Sequence, residues 1–286
     1  MAEKHLYAIV LRLVALRLGA LPANHGDQAR AALLNLIRKG DSPLAKQLHD
    51  ANTAKPYSIS LINGGKRDKH GAHHFGKGDE AEWRFSLMMQ PAFEALLKKY
   101  LMDNQAPHVR IGAINFAIVD VFVTNDAHHD SATIRIQDLT EGWHHHPEDQ
   151  LPRRIVLDFQ SPTAFSLGQD KQTKKYRFHT QPSAKMLFSS LRKRWVKLGG
   201  VDAGDEFDAW VDAYIEDDIL DLHLQKITVK KRSISGFVGQ VAFQHCGDDR
   251  SYLRYWNLLS DLTFWTGIGY QTTRGMGQVR RLLMSD

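Results

Sequence analysis

Gly267-Ile268-Gly269-Tyr270-Gln271-Thr272-Thr273-Arg274-Gly275-Met276-Gly277 sets two Gly-apolar-Gly pairs around a basic residue near the end of the chain. A helix-like apolar pattern, Tyr252 to Trp265, precedes it, and a strand-like run, Gln278 to Leu283, follows. Glycines cluster where a backbone must take positive φ or lie close to another molecule. Exposed N–H groups in such a turn form an anion-binding concavity, and Arg274 with the hydroxyls of Thr272 and Thr273 suits a phosphate backbone. The order helix, glycines, strand is the reverse of a dinucleotide fingerprint. The competing reading is a tight helix-to-strand connection with glycine caps.

Working outward, the second half reads as a strand at Arg154–Phe159, a basic loop from Leu167 to Gln181 and helices at Ser183–Leu198 and Asp205–Asp217. Strands at Ile219–Lys230 and Phe237–Phe243 come before the last helix, the glycines and the final strand. In the first half, Leu6–Leu18 predicts a strand, Asp27–Lys39 a helix with Asp27 as N-cap, and the segment after Gly40 a short helix ending about His49. Strands follow at Tyr57–Ile62 and Ala81–Met89, then a helix at Pro91–Leu101 and a strand or bent pair at Val109–Val123. Gly64–Gly78 reads as a basic, mobile loop, and Asp126–Gln150 as a polar loop around one short strand. Strand, helix, strand, strand, helix, strand is the ferredoxin-like order. The expected fold is α+β: two tandem ferredoxin-like domains, 1–150 and 151–286, with a C-terminal glycine-rich loop.

The 286 residues are 43% hydrophobic, enough for substantial cores. No apolar run is long enough to span a bilayer, so no membrane partner is expected. Cys246 stands alone, which excludes a disulfide framework and a cysteine zinc site and fits a cytoplasmic, reducing compartment. The net charge of +5 is unevenly spread: residues 1–150 carry 17 Lys and Arg against 17 Asp and Glu, residues 151–286 carry 20 against 15. A basic half beside a neutral half predicts a polyanionic partner, nucleic acid above all. Lys174, Lys175 and Arg177 lie in one basic loop, Arg192 and Arg194 on one helix, and Lys231 and Arg232 in a turn; with the glycine stretch these are the candidate RNA contacts.

Several of these segments resemble the repeat-associated RNA-binding (RAMP) proteins of CRISPR systems, and most nearly their repeat-processing endoribonucleases, the sixth Cas family. The resemblance rests on the glycine stretch, Ser235-Gly236-Phe237-Val238-Gly239, Ser161-Pro162-Thr163-Ala164-Phe165, Leu187–Leu191 with Arg194-Trp195, and the run from Pro22 to Lys55. It implies the same two-domain arrangement and cleavage of precursor CRISPR RNA at its repeats. The cleavage implied needs no metal or other cofactor and leaves 5′-hydroxyl and 2′,3′-cyclic phosphate ends. It also implies a catalytic histidine in a Leu-His-acidic motif and a following lysine, here His49 in Leu48-His49-Asp50 and Lys55. The family tyrosine on the first helix is replaced by Leu34, which cannot move a proton. His25, in Pro22-Ala23-Asn24-His25, is the expected substitute.

The residue types suit that chemistry. In metal-free RNA cleavage the 2′-hydroxyl attacks its own phosphate, and the protein supplies a base, an acid and positive charge. Histidine, with a reference pKa of about 6.5, suits the proton transfers, and lysine the charge. The alternative is a RAMP protein that holds crRNA as a subunit of a CRISPR effector complex and cuts nothing. Metal binding by the histidine runs at His70–His74, His128-His129 and His144–His146 is a minor reading, because none sits at i, i+4 on a credible helix and there is no His-Glu-x-x-His.

Overall fold

The computed structural model describes residues 4–50, 55–102, 107–229 and 232–283, with the side chains of 99–102, 229 and 232 outside the description. The chain divides into two compact units, Met1–Arg135 with Thr273–Gly275, and Ile136–Thr272 with Met276–Asp286.

In the first unit His5–Ala15 is the central strand, and its residues from Leu6 to Leu11 are all buried. The sheet runs Tyr57–Ile59, Glu80–Leu87, His5–Ala15, Ile114–Phe122, His108–Ile111, each neighbour antiparallel. Helix Gly26–Gly40 connects the first of these strands to the next in sequence, and helix Gln90–Met102 connects the hairpin to the last pair. This is the ferredoxin-like connectivity expected. Helix Gly26–Gly40 buries Ala29, Ala32, Leu33, Leu36 and Ile37, the i, i+3, i+4, i+7, i+8 stripe of an amphipathic helix. Its N-cap is His25, with no side-chain cap, so Asp27 lies inside the first turn instead of capping it. The next helix, Ser42–Asp50, is capped by Asp41, whose Oδ1 accepts the Leu44 N–H at 2.9 Å.

The expected loop Gly64–Gly78 is instead built into a small sheet of Gly19–Leu21, His73–Phe75 and Lys66–Arg67. Asp68 organises its turn: one carboxylate oxygen accepts the N–H groups of His70 and Ala72, and the other meets His74 at 2.9 Å. Composition signalled a loop because glycine, lysine and histidine are poor strand formers in isolation.

In the second unit the sheet order is Ile215–Val229, Arg232–His245, Arg154–Thr163, Val279–Leu282, again antiparallel throughout. Helices Ala184–Lys197 and Leu253–Thr266 supply the two connections, and Phe188 packs against both Phe243 and Trp256 in the core. Ser183 caps Ala184–Lys197 by accepting the Met186 N–H. The division between units falls at Arg135/Ile136, ahead of the expected change at residue 150. The segment Asp126–Gln150 is no plain loop. Its strand Ala132–Arg135 pairs with His5–Ala15, and its helix Ile136–His144 packs on Leu253–Thr266 through a 2.8 Å bond from Trp143 Nε1 to Asp261. Ile136, Leu139 and Trp143 give that helix an i, i+3, i+7 apolar stripe, but the stripe is short and set in polar, histidine-rich sequence, and only Leu139 is buried.

Candidate functional site

Helix Ser42–Asp50 brings the first candidate pair together. Leu44, Ala45 and Leu48 bury one face, which leaves His49 at the exposed C-terminal end. Lys55 folds back onto that end: its Nζ donates to Leu48 O at 2.7 Å and to His49 O at 3.0 Å. A cation is favoured there, because the last carbonyls of a helix lack intrahelical partners and carry the negative end of its dipole. The capping role open to His49 is thus taken by Lys55. The His49 ring turns to its neighbour, Nδ1 lying 3.0 Å from Asp50 Oδ1.

His25 is not in that cluster's chemistry. Its side chain is buried, Nδ1 donates to Pro22 O at 2.9 Å, and Nε2 accepts the Ile62 N–H at 2.8 Å. A backbone N–H can only donate, so Nε2 carries the lone pair and Nδ1 the proton. Burial pushes its pKa down to about 4, and both ring nitrogens are committed to the backbone. The substitute role expected of His25 is therefore not supported by its setting. Leu34, at the position of the family tyrosine, is a buried core residue.

The glycine stretch is knotted on itself. Gly267 ends helix Leu253–Thr266 with φ 61°, and Ile268 N–H donates to Gly277 O at 2.8 Å. Tyr270 N–H donates to Ala164 O at 2.8 Å and Gly277 N–H to Pro162 O at 3.1 Å. A Cβ on Gly277 would stand 1.8 Å from Ile268 O. These glycines allow backbones to touch, and those N–H groups are spent inside the protein instead of facing an anion. Gly269 and Gly275 also hold positive φ, and Thr272 is buried. Arg274, grouped with the first unit, is largely buried and ion-paired with Asp27 on helix Gly26–Gly40, while its own carbonyl abuts Gly26.

The two helix arginines are likewise internal. Arg194 donates to the carbonyls of Thr266, Gly267 and Gly269 at 2.5, 3.0 and 3.2 Å, and burial lowers its pKa to about 10. It anchors the start of the glycine stretch. Arg192 is buried among Asp208, Asp202 and Asp205 at 2.9, 2.7 and 3.0 Å, and its hydrogen bonds to Asp208 lead the forces raising its pKa. The expectation that Arg192 contacts RNA is corrected: its charge is consumed by three carboxylates. The Asp-x-x-Asp-x-x-Asp spacing on and before helix Gly204–Tyr214 was the readable sign of that cage.

The basic stretch Leu167–Gln181, expected as a loop, is instead partly built into strands. Phe165–Gln169 and Tyr176–His179 form a hairpin whose connection exposes Lys174 and Lys175, with Arg177 exposed on the second strand. Asp170 shapes the turn by accepting the N–H groups of Gln172 and Thr173. Lys231 lies outside the described residues, as does the Arg232 side chain.

Residues 5–140 match the CRISPR Cas6 N-terminal domain, and residues 157–279 match CRISPR-associated endoribonuclease Cas6. The chain belongs to the Cas6 family. Among solved structures it resembles a Cas6 product complex at 20% identity, TM-score 0.77, over 98% of this chain and 100% of that one. A Thermus thermophilus Cas6 is similar at 18% identity, TM-score 0.71, over 99% and 100%. A RAMP protein binding different RNA substrates is similar at 17% identity, TM-score 0.61, over 97% and 100%. No curated protein sequence matches. Likeness at these identities establishes the shared fold.

Within this Cas6 fold, His128, His129 and Asp130 are the one group of potential metal ligands found among the described residues, their atoms within 4.8 Å of one another. His128 Nδ1 accepts the Asp130 N–H at 3.1 Å, which places the ring proton of the neutral imidazole on Nε2, 3.5 Å from Glu82. A ring in that tautomer offers no lone pair for a cation at Nε2. No helix among the described residues is long and apolar enough to cross a membrane.

Proposed function

We propose that this protein cleaves CRISPR repeat RNA in precursor transcripts without a metal, with His49 and Lys55 as its catalytic pair. The observation that carries the reading is the convergence of the His49 imidazole and the Lys55 ammonium on one helix end, in a chain of a CRISPR endoribonuclease family. The substrate 2′-hydroxyl attacks the adjacent phosphorus and the P–O5′ bond breaks, giving a 2′,3′-cyclic phosphate and a 5′-hydroxyl. One proton leaves the 2′-oxygen and one reaches the 5′-oxygen. His49 moves one of them, as base or as acid, and the Lys55 charge offsets the extra negative charge on the phosphorane oxygens.

Repeat RNA would be held by the exposed hairpin residues Lys174, Lys175 and Arg177, with Lys231 and Arg232 in the same basic half. The glycine stretch and its anchor Arg194 support that surface mainly by shape. The buried Leu34 favours a second reading, a RAMP subunit that holds crRNA in an effector complex without cutting it.

A repeat RNA with a 2′-deoxy sugar at the cleavage position tests the mechanism. It is expected to bind as tightly as the all-ribose substrate and to resist cleavage. Cleavage at the normal rate would overturn the 2′-hydroxyl mechanism, and binding of both RNAs without cleavage would favour the subunit reading.

A further inference from the structure

We infer that Asp50 is a positioning residue: its carboxylate fixes the proton of His49 on Nδ1 and presents Nε2 as the nitrogen that works on the substrate. The inference rests on His49 being the catalytic histidine proposed above, and it assigns a role to the acidic member of Leu48-His49-Asp50.

The geometry is direct. Asp50 Oδ1 lies 3.0 Å from His49 Nδ1. An ionised carboxylate can only accept, so the neutral ring facing it carries its proton on Nδ1 and its lone pair on Nε2. The bond to His49 leads the forces that hold the Asp50 carboxyl below its ordinary range, which favours its ionised, accepting form. Lys55 locks the backbone of the same turn from the other side, by bonding the carbonyls of Leu48 and His49. The two residues thus divide the work: Lys55 holds the helix end and Asp50 holds the ring.

Charge supplies the second argument. A carboxylate beside a site that must admit a phosphodiester repels the substrate. An acid with no task beside His49 would therefore hinder RNA binding, and its removal would improve the protein. A positioning acid predicts the reverse for the chemical step: the carboxylate orients the ring, selects its tautomer and stabilises the imidazolium that forms when Nε2 takes a proton. The three atoms form a chain, Asp50 Oδ1, His49 Nδ1–H, His49 Nε2, and Nε2 would receive the 2′-hydroxyl proton or deliver one to the 5′-oxygen.

The test compares wild type with Asp50→Asn, Asp50→Glu and His49→Ala under single-turnover conditions with saturating repeat RNA across pH. Ring-nitrogen NMR of the RNA-free proteins runs alongside. Asp50→Asn is expected to bind RNA at least as tightly yet cleave about fivefold more slowly. The Nδ1–H tautomer of His49 should dominate in wild type and lose that dominance in Asp50→Asn. Asp50→Glu should recover most of the rate. A wild-type rate in Asp50→Asn, with His49→Ala inactive, would overturn the role of Asp50 alone. Normal cleavage by His49→Ala would overturn the underlying assignment of His49 instead. An unchanged His49 tautomer in Asp50→Asn would overturn the inference independently of activity.

Discussion

His25 Nε2 accepts the backbone N–H of Ile62 at 2.8 Å, a bond between residues far apart in the chain that holds the first helix to the segment after strand Tyr57–Ile59. The bond needs a neutral ring, and burial, assisted by His73 and Arg67, holds the pKa near 4. In the unfolded chain the ring takes a proton near its ordinary pKa of about 6.5. Between those values the unfolded state binds more protons, so stability rises with pH and is lost as pH falls from about 6.5 towards 4. The contribution is on the order of 3 kcal/mol. Urea unfolding from pH 7.5 to 4.5 should show wild type losing stability faster on acidification than His25→Gln, whose side chain does not titrate. Parallel curves would show that His25 is not the buried neutral ring described.

Arg192 should matter for stability and not for RNA. Asp208, itself mostly buried, also accepts from Ser189 at 3.0 Å, so removing the guanidinium leaves a carboxylate uncompensated. Arg192→Ala is expected to lower unfolding free energy by about 3 kcal/mol, read from denaturant midpoints. Its affinity for repeat RNA, measured where the variant is fully folded, should equal that of wild type. A large affinity loss without a stability loss would return Arg192 to the RNA surface.

The hairpin cations make the opposite prediction. Lys174, Lys175 and Arg177 are exposed, so their joint replacement by alanine should leave the melting temperature nearly unchanged. RNA affinity should fall, and the slope of log affinity against log salt should become shallower by about one for each phosphate that the side chains no longer neutralise. An unchanged slope would place the RNA elsewhere.

The ferredoxin-like order was legible because the central strands and connecting helices are periodic, although the face of the first helix expected at Ala31, Leu34 and Ile37 is in fact centred on Ala29, Ala32, Leu33, Leu36 and Ile37, with Ala31 exposed. Helix Ile136–His144 was missed although Ile136, Leu139 and Trp143 stand at i, i+3, i+7, because that stripe is short and lies in polar, histidine-rich sequence; bonds from Trp143 and Arg254 tie the segment down. The family motif placed His49 and Lys55 close in sequence, and the fold puts the ammonium on the His49 carbonyl. What sequence could not convey was which basic residues face outward. Arg192, Arg194 and Arg274 look like phosphate ligands until the carboxylates and carbonyls that surround them are seen. Charge counts do not distinguish a cation offered to solvent from one consumed inside a unit.

The most direct test of the account is incubation of a cognate repeat RNA with wild type and His49→Ala in excess EDTA. Wild type is expected to cut at a single site, leaving 2′,3′-cyclic phosphate and 5′-hydroxyl ends. His49→Ala should bind the same RNA and cut at least about a hundredfold more slowly, the scale of general acid–base catalysis. Equal cleavage by both proteins, or loss of wild-type cleavage in EDTA, would contradict a metal-free reaction centred on His49.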